Sequence, residues 1–324
     1  MQSFVLLVIG FALLVWGADK FVAGASALAR KLGVPALIVG LTVVAFGTSA
    51  PELAVSVTAA IKGANEIAVG NVVGSNMFNL LVVAGLSAVL CPLVIDRDIL
   101  RRDWPLSAAA ALLLFAMLAR NGDITRLEGV ILLAFFAVLM VLQLRPALKS
   151  RAALKNAGPD ELSDSMPPVM IGVNVILGLI CIVLGGQLSV DGATGIARMF
   201  GLSETLIGLT IVAIGTSLPE LVTSIVAAKR GENDIAMGNV IGSNLFNILL
   251  ILGVSSVIKP ITVLPTAMID TLILVAVSLL FFLPARFGRP APGSAAKRGG
   301  ALTRPVGAVM VLTYIAYTVY LILR

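Results

Sequence analysis

Two glutamates, Glu52 and Glu220, each stand deep inside a long apolar run. A carboxylate at bilayer depth costs about 3 kcal/mol or more unless something compensates it, so each marks a site. Their surroundings match. Ala45–Asn79 reads AFGTSAPELAVSVTAAIKGANEIAVGNVVGSNMFN, and 168 residues on, Ala213–Asn247 reads AIGTSLPELVTSIVAAKRGENDIAMGNVIGSNLFN. Laid without a gap, Ala45–Leu80 and Ala213–Ile248 share 22 of 36 residues. One such acid reads as a structural carboxylate held by a neighbouring helix. Two in identical polar settings point to shared chemistry.

On a helix, Ala45, Thr48, Ser49 and Glu52 fall at i, i+3, i+4 and i+7, on one face, and Ala213, Thr216, Ser217 and Glu220 repeat the pattern. Pro51 and Pro219 cannot donate hydrogen bonds, so the carbonyls of Gly47 and Gly215 lose their partners and a kink is expected there. Freed carbonyls at that depth are tolerated only where protein, water or a cation satisfies them. Asn71, Ser75 and Asn79, and then Asn239, Ser243 and Asn247, form second polar stripes four residues apart. Brought together, these stripes make an all-oxygen cage without sulfur or imidazole, which selects hard cations. Two carboxylates neutralise one divalent ion, and many neutral oxygens suit Ca²⁺ better than strictly octahedral Mg²⁺.

Duller roles surround this set. Ser56, Thr58 and Ser224 read as hydroxyls bonded back to their own helices. Gly70-xxx-Gly74 and Gly238-xxx-Gly242 read as close-packing surfaces. Asn76 and Asn244, off the stripes, read as interhelical glue, and Asp19 with Lys20 as a local pair.

The elements that must position these residues are membrane spans. The 324 residues are 59% hydrophobic and 12% charged, with mean hydropathy +1.05. Soluble domains carry about 25% charged residues, so the chain reads as an integral membrane protein. The net charge of +6 does not indicate nucleic acid, because the basic residues sit in short loops between spans. With no histidine, imidazole zinc sites, His proton relays and Ser–His or Cys–His catalysis are excluded. Cys91 and Cys181 lack CxxC spacing and read as plain thiols. The first apolar run lacks a basic n-region and continues past Trp16, so it reads as a span rather than a cleaved signal.

Ten spans are expected, near 3–29, 35–61, 66–91, 104–119, 127–145, 168–197, 203–228, 234–258, 266–284 and 305–323. The polar segment 146–167 reads as a cytoplasmic connecting loop, and 286–304, basic and Gly/Pro-rich, as a flexible loop. Placing both termini on one side leaves six basic residues there, among them Lys62, Arg120 and Lys259, and sixteen opposite, among them Arg97, Arg230 and Arg286. That bias puts the sixteen in the cytoplasm and both termini outside. Glu52 and Glu220 lie five spans apart, and an odd number of crossings inverts the second copy. The match extends back through Gly17 onto Gly185 and Arg30 onto Arg198. The expected fold is thus an all-α polytopic membrane protein of ten transmembrane helices. Its two inverted five-helix repeats are 1–145 and 168–324, the pattern of an alternating-access transporter.

GTSAPE with GNVVGSNMFN, and GTSLPE with GNVIGSNLFN, resemble the paired alpha-repeats of the calcium/cation antiporter superfamily, most closely its prokaryotic sodium/calcium exchangers. The resemblance covers essentially the whole chain. It implies exchange of Na⁺ for Ca²⁺ at a shared mid-membrane site in a prokaryotic cell (inner) membrane, with those ions as substrates and no cofactor or obligate protein partner. By that similarity Glu52 and Glu220 are calcium ligands, completed by the Thr48 and Thr216 carbonyls. Ser49, Ser217, Ser75 and Ser243, with the Ala45 and Ala213 carbonyls, line sodium sites, and Asn79 and Asn247 flank the centre. Many relatives carry aspartate at one flanking position; this chain has Asn at both, so the motif charge is −2. The 146–167 loop has no room for a calcium-sensing domain. Competing expectations are an H⁺/Ca²⁺ or other cation exchanger of the same fold, and a passive cation channel. An intramembrane enzyme would need an HExxH, Ser/Lys or paired-aspartate motif, which the spans lack.

Overall fold

The computed structural model describes residues 2–63, 66–155, 166–201, 211, 213–263, 265–288 and 298–323. Its helices are α1 (Gln2–Leu32), α2 (Ala36–Thr48), α3 (Ala50–Lys62), α4 (Ile67–Leu90), α5 (Ile99–Arg120) and α6 (Arg126–Lys155). They continue with α7 (Pro168–Met199), α8 (Leu218–Lys229), α9 (Asn233–Ile258), α10 (Thr266–Phe287) and α11 (Arg304–Leu323). Among the described residues eight of these are long and apolar enough to cross a bilayer, and α2 with α3, bent by 49°, makes a ninth if the two are taken as one broken span. The chain is an all-helical, polytopic integral membrane protein. Most of the first half of the expected seventh span (202–210 and 212) lies outside the described residues, and α8 is its second half.

Packing sorts the spans into a centre and a periphery. The apolar windows of α4 and α9 are 78% buried, those of α1 and α7 only 33%. The motif helices therefore form the core, and α1 and α7 lie against it as a pair. Glycines bring that pair together. A Cβ on Gly178 would stand 2.6 Å from the Phe21 nitrogen, and one on Gly185 2.7 Å from the Gly10 oxygen. Because Gly10 meets Gly185 while Gly17 meets Gly178, α1 and α7 run in opposite directions. Gly238 and Gly242 seat α9 equally closely on α2, with a Gly242 Cβ 2.7 Å from the Leu41 oxygen. Gly70 and Gly74 have no such neighbour among the described residues.

Both ends of the bundle are tied by short strand pairs. At one end β1 (Leu93–Asp96) runs antiparallel to β4 (Arg298–Leu302); at the other β2 (Asp123–Ile124) pairs with β3 (Ile261–Thr262). These pairings group Arg97 with Arg286, and Arg120 with Lys259, as the charge pattern does. Regular structure reaches into two expected loops. Residues 298–302 form β4 although Gly299 and Gly300 have poor strand propensity. The strand exists because only glycine fits: a Cβ on Gly300 would lie 2.1 Å from the Ala285 oxygen, and one on Gly299 2.6 Å from that of Ile95. Helix α6 runs to Lys155, ten residues into the expected 146–167 connection. The run ALKSRAALK there is rich in strong helix formers, which carry the helix past the apolar stretch.

Candidate ion-binding site

Helix α2 stops at Thr48 and α3 starts at Ala50, so the break falls at Ser49, two residues before Pro51. The Ser49 N–H still donates to the Ala45 oxygen (3.0 Å), and the Ser49 oxygen accepts from Leu53 (3.1 Å). The second copy breaks at the same place. A turn at Ala213–Gly215 ends before Ser217, which opens α8 ahead of Pro219. At both breaks the proline leaves a carbonyl without its helical donor, as the sequence dictates. Helices α4 and α9 carry a second irregularity. Asn79–Val83 and Phe246–Ile251 are π-helical, and the extra residue per turn starts at Asn79 and encloses Asn247. No sequence signal announced these bulges.

The breaks bring the two glutamates to one centre. Glu52 and Glu220 are both 0% exposed. Ser217 Oγ donates to Glu52 Oε1 (3.0 Å), and Ser49 Oγ donates to Glu220 Oε1 (2.9 Å). Each acid is thus held by the serine three residues before the other. Ser75 and Ser243 stand at 3.4 Å from the same two oxygens, and the Ser217 and Ser75 hydroxyl oxygens lie 3.2 Å apart. Behind them, Asn71 Nδ2 donates to the Glu52 carbonyl (3.3 Å) and to Ser56 (3.0 Å). Asn239 does the same for the Glu220 carbonyl (3.3 Å) and Ser224 (2.9 Å). Those serines accept bonds that fix the motif helices.

The flanking amides cross the centre in the same symmetric way. Asn79 Nδ2 donates to Asn244 Oδ1 (3.3 Å) and Asn247 Nδ2 to Asn76 Oδ1 (2.9 Å), while Asn76 and Asn244 bond each other's backbone oxygens. Left over at the centre are Glu52 Oε2, Glu220 Oε2, Asn79 Oδ1 and Asn247 Oδ1, buried oxygens with no hydrogen-bond partner among the described residues. Unmatched buried acceptors are expensive, and in this cluster all four are of the hard-cation type. No ion pair among the described residues reaches either glutamate.

The remaining expected site residues are placed as follows. Ala45 and Thr48 are buried in the last turn of α2, with Thr48 Oγ1 donating to Asn239 Oδ1 (3.0 Å). Ala213 opens the turn at the second break, and Thr216 is half-buried within it. Asp19 and Lys20 correct the expectation of a local pair. Asp19 takes an ion pair from Arg230 at the end of α8, and Lys20 lies over Trp16. Ser26 and Arg30 likewise meet Glu232, so α1 is fastened to the α8–α9 turn. That turn is far in sequence, which is why spacing alone could not show it. Toward the β2–β3 end, by contrast, a cavity of about 360 Å³ runs from Pro51, Thr216 and Pro219 past Gln187 to Asp191. Gln187 and Asp191 are exposed although they lie within a span, and both line this cavity, the setting in which polar groups at that depth are tolerated.

Residues 2–145 and 171–323 match the family model described as sodium/calcium exchanger protein. The chain belongs to the sodium/calcium exchanger family. It is 40% identical to the putative antiporter CaxA of Alkalimonas amylolytica, over 97% of this chain and 96% of that one. It is 34% identical to the sodium/calcium exchanger MaX1 of Methanosarcina acetivorans, over 98% of each. A solved structure of the sodium-calcium exchanger NCX_Mj, soaked with zero Na⁺ and Ca²⁺, superposes with a TM-score of 0.81 at 32% identity, covering 99% of each chain. Membership makes the protein a cation antiporter of the exchanger type, a transporter and not an enzyme, and agrees with the resemblance read from the motifs.

Proposed function

We propose that this chain exchanges Na⁺ for Ca²⁺ by alternating access at the Glu52–Glu220 site. The observation that carries it is the cluster of four unpartnered buried oxygens, two from carboxylates and two from amides. Ca²⁺ takes both carboxylates, with the Thr48 and Thr216 carbonyls. Na⁺ ions take positions lined by Ser49, Ser75, Ser217 and Ser243 and the Ala45 and Ala213 carbonyls. The flanking Asn79 and Asn247 add no charge, so Ca²⁺ leaves the site neutral and three Na⁺ leave it at +1. Na⁺ and Ca²⁺ are cargo, and no cofactor takes part.

The empty site holds two uncompensated acids, which disfavours carrying it through the apolar layer. Loaded with either cargo it is compensated, and the α1–α7 pair can slide over the core. Exchange rather than leak follows from that difference. The antiparallel run of α1 and α7, whose sequences match, supports ten spans in two inverted five-helix repeats, 1–145 and 168–324, joined by a cytoplasmic connection at 146–167. The charge asymmetry of the loops supports termini outside a prokaryotic inner membrane, with the β1–β4 end in the cytoplasm.

The test is ⁴⁵Ca²⁺ uptake into proteoliposomes loaded with Na⁺. Uptake that collapses without the sodium gradient is expected. Uptake driven instead by a pH gradient in sodium-free buffer would mark an H⁺ exchanger, and flux without any counter-ion a channel.

A further inference from the structure

At the β1–β4 end, three arginines from separate parts of the chain converge on one pocket of about 280 Å³. Arg97 follows β1, Arg101 sits at the start of α5, and Arg286 ends α10; Phe287 and Gly299 complete the lining. The strands create the convergence. The β1–β4 register shifts between Ile95 and Asp96, and Gly299 lies so near that a Cβ on it would be 2.7 Å from the Arg97 nitrogen. All three arginines are exposed, and none makes an ion pair among the described residues. Acids are close at hand, the exposed Asp98 among them, but none forms an ion pair with these three arginines among the described residues. Arg102 holds Asp103 through two bonds of 2.8 and 3.2 Å, and Asp96 Oδ1 accepts from the Asp98 N–H (2.7 Å).

Like charges one helical turn apart, as at Arg97 and Arg101, oppose folding. Three guanidiniums held together without an ion-pair partner form a receptor for an anion. The planar fork of each matches phosphate oxygens two at a time. The pocket's depth narrows the source. It lies where the apolar stretch of α10 ends, beside Phe287, which is 74% exposed. That is the level of lipid headgroups, and basic pockets there take headgroup phosphates. We propose that Arg97, Arg101 and Arg286 bind a phosphate group, that of an anionic phospholipid or a free phosphate. The site is separate from the transport centre and does not depend on which ions are exchanged.

The purified protein is mixed with phosphatidylglycerol, phosphatidylcholine or inorganic phosphate, and retained lipid is read by native mass spectrometry and stability by thermal unfolding. Wild type is expected to retain phosphatidylglycerol about tenfold better than phosphatidylcholine. The triple variant R97A/R101A/R286A, and to a smaller degree each single variant, loses that preference, while triple lysine substitution recovers only part of it. Stabilisation by phosphatidylglycerol alone identifies a lipid. An equal shift with inorganic phosphate, also lost in the triple variant, identifies a soluble anion. If the alanine variants keep the wild-type lipid preference, or wild type responds to none of the three, the site does not exist.

Discussion

Replacing Glu52 by glutamine keeps the side chain's shape and removes its charge, which separates a cargo ligand from a structural acid. Glu52 Oε2 has no partner among the described residues, so the substitution breaks no bond of that oxygen there. Ser217 still finds an oxygen to donate to. For the loaded site the loss is large. Removing one member of a buried charge pair costs about 3–5 kcal/mol, which is roughly 150- to 5000-fold in affinity. For the empty site the sign reverses, because one of two neighbouring buried acids has gone. Ion-free Glu52→Gln protein should therefore unfold no lower than wild type, and by about 2 °C higher for each kcal/mol relieved. The stabilisation that Ca²⁺ gives wild type should vanish. Calorimetry in chelator and in Ca²⁺, beside ⁴⁵Ca²⁺ uptake, reads both quantities. Uptake within twofold of wild type, or a lower ion-free melting temperature, would refute the reasoning.

The crossed serines allow a symmetric test. Ser49→Ala and Ser217→Ala each delete one donor to a carboxylate, worth about 1.5–3 kcal/mol, so each should weaken Ca²⁺ by roughly 10- to 150-fold in binding calorimetry. Asp191→Asn, at the mouth of the cavity, should raise the KM for Ca²⁺ in right-side-out vesicles severalfold at low ionic strength with Vmax unchanged. The effect should fade in concentrated choline chloride, where the Debye length is only about 3 Å. Gly178→Val drives a side chain into the Phe21 backbone and should cost at least about 1–3 kcal/mol of stability, visible as reduced thermal stability in detergent.

Much of the candidate site was legible because the chain states it twice. The gapless duplication singled out the glutamates, the serines and the breaking prolines, and elementary helix chemistry then located the break near Ser49. The asparagine stripes were visible as well, but their division of labour was not. Asn71 and Asn239 spend their donors on the Glu52 and Glu220 carbonyls, whereas Asn79 and Asn247 keep an oxygen free. The second pair coincides with the π-helical turns, which no local residue pattern specifies. Long-range contacts were equally hidden. Arg230 reaches Asp19 across 211 residues of sequence, and β4 forms in a glycine-rich stretch only because β1 and Ala285 lie against it.

The reciprocal hold of each serine on the opposite acid has a consequence for how such a molecule can be assembled. Neither half owns a complete grip: the first supplies one acid and the clasp for the other, and so does the second. Expressed alone, a half should be inert, yet in the inverted arrangement proposed above two separately made halves could rebuild the centre provided they insert in opposite senses. Swapping loop charges so that both enter the bilayer the same way up would leave two intact polypeptides and no place for an ion.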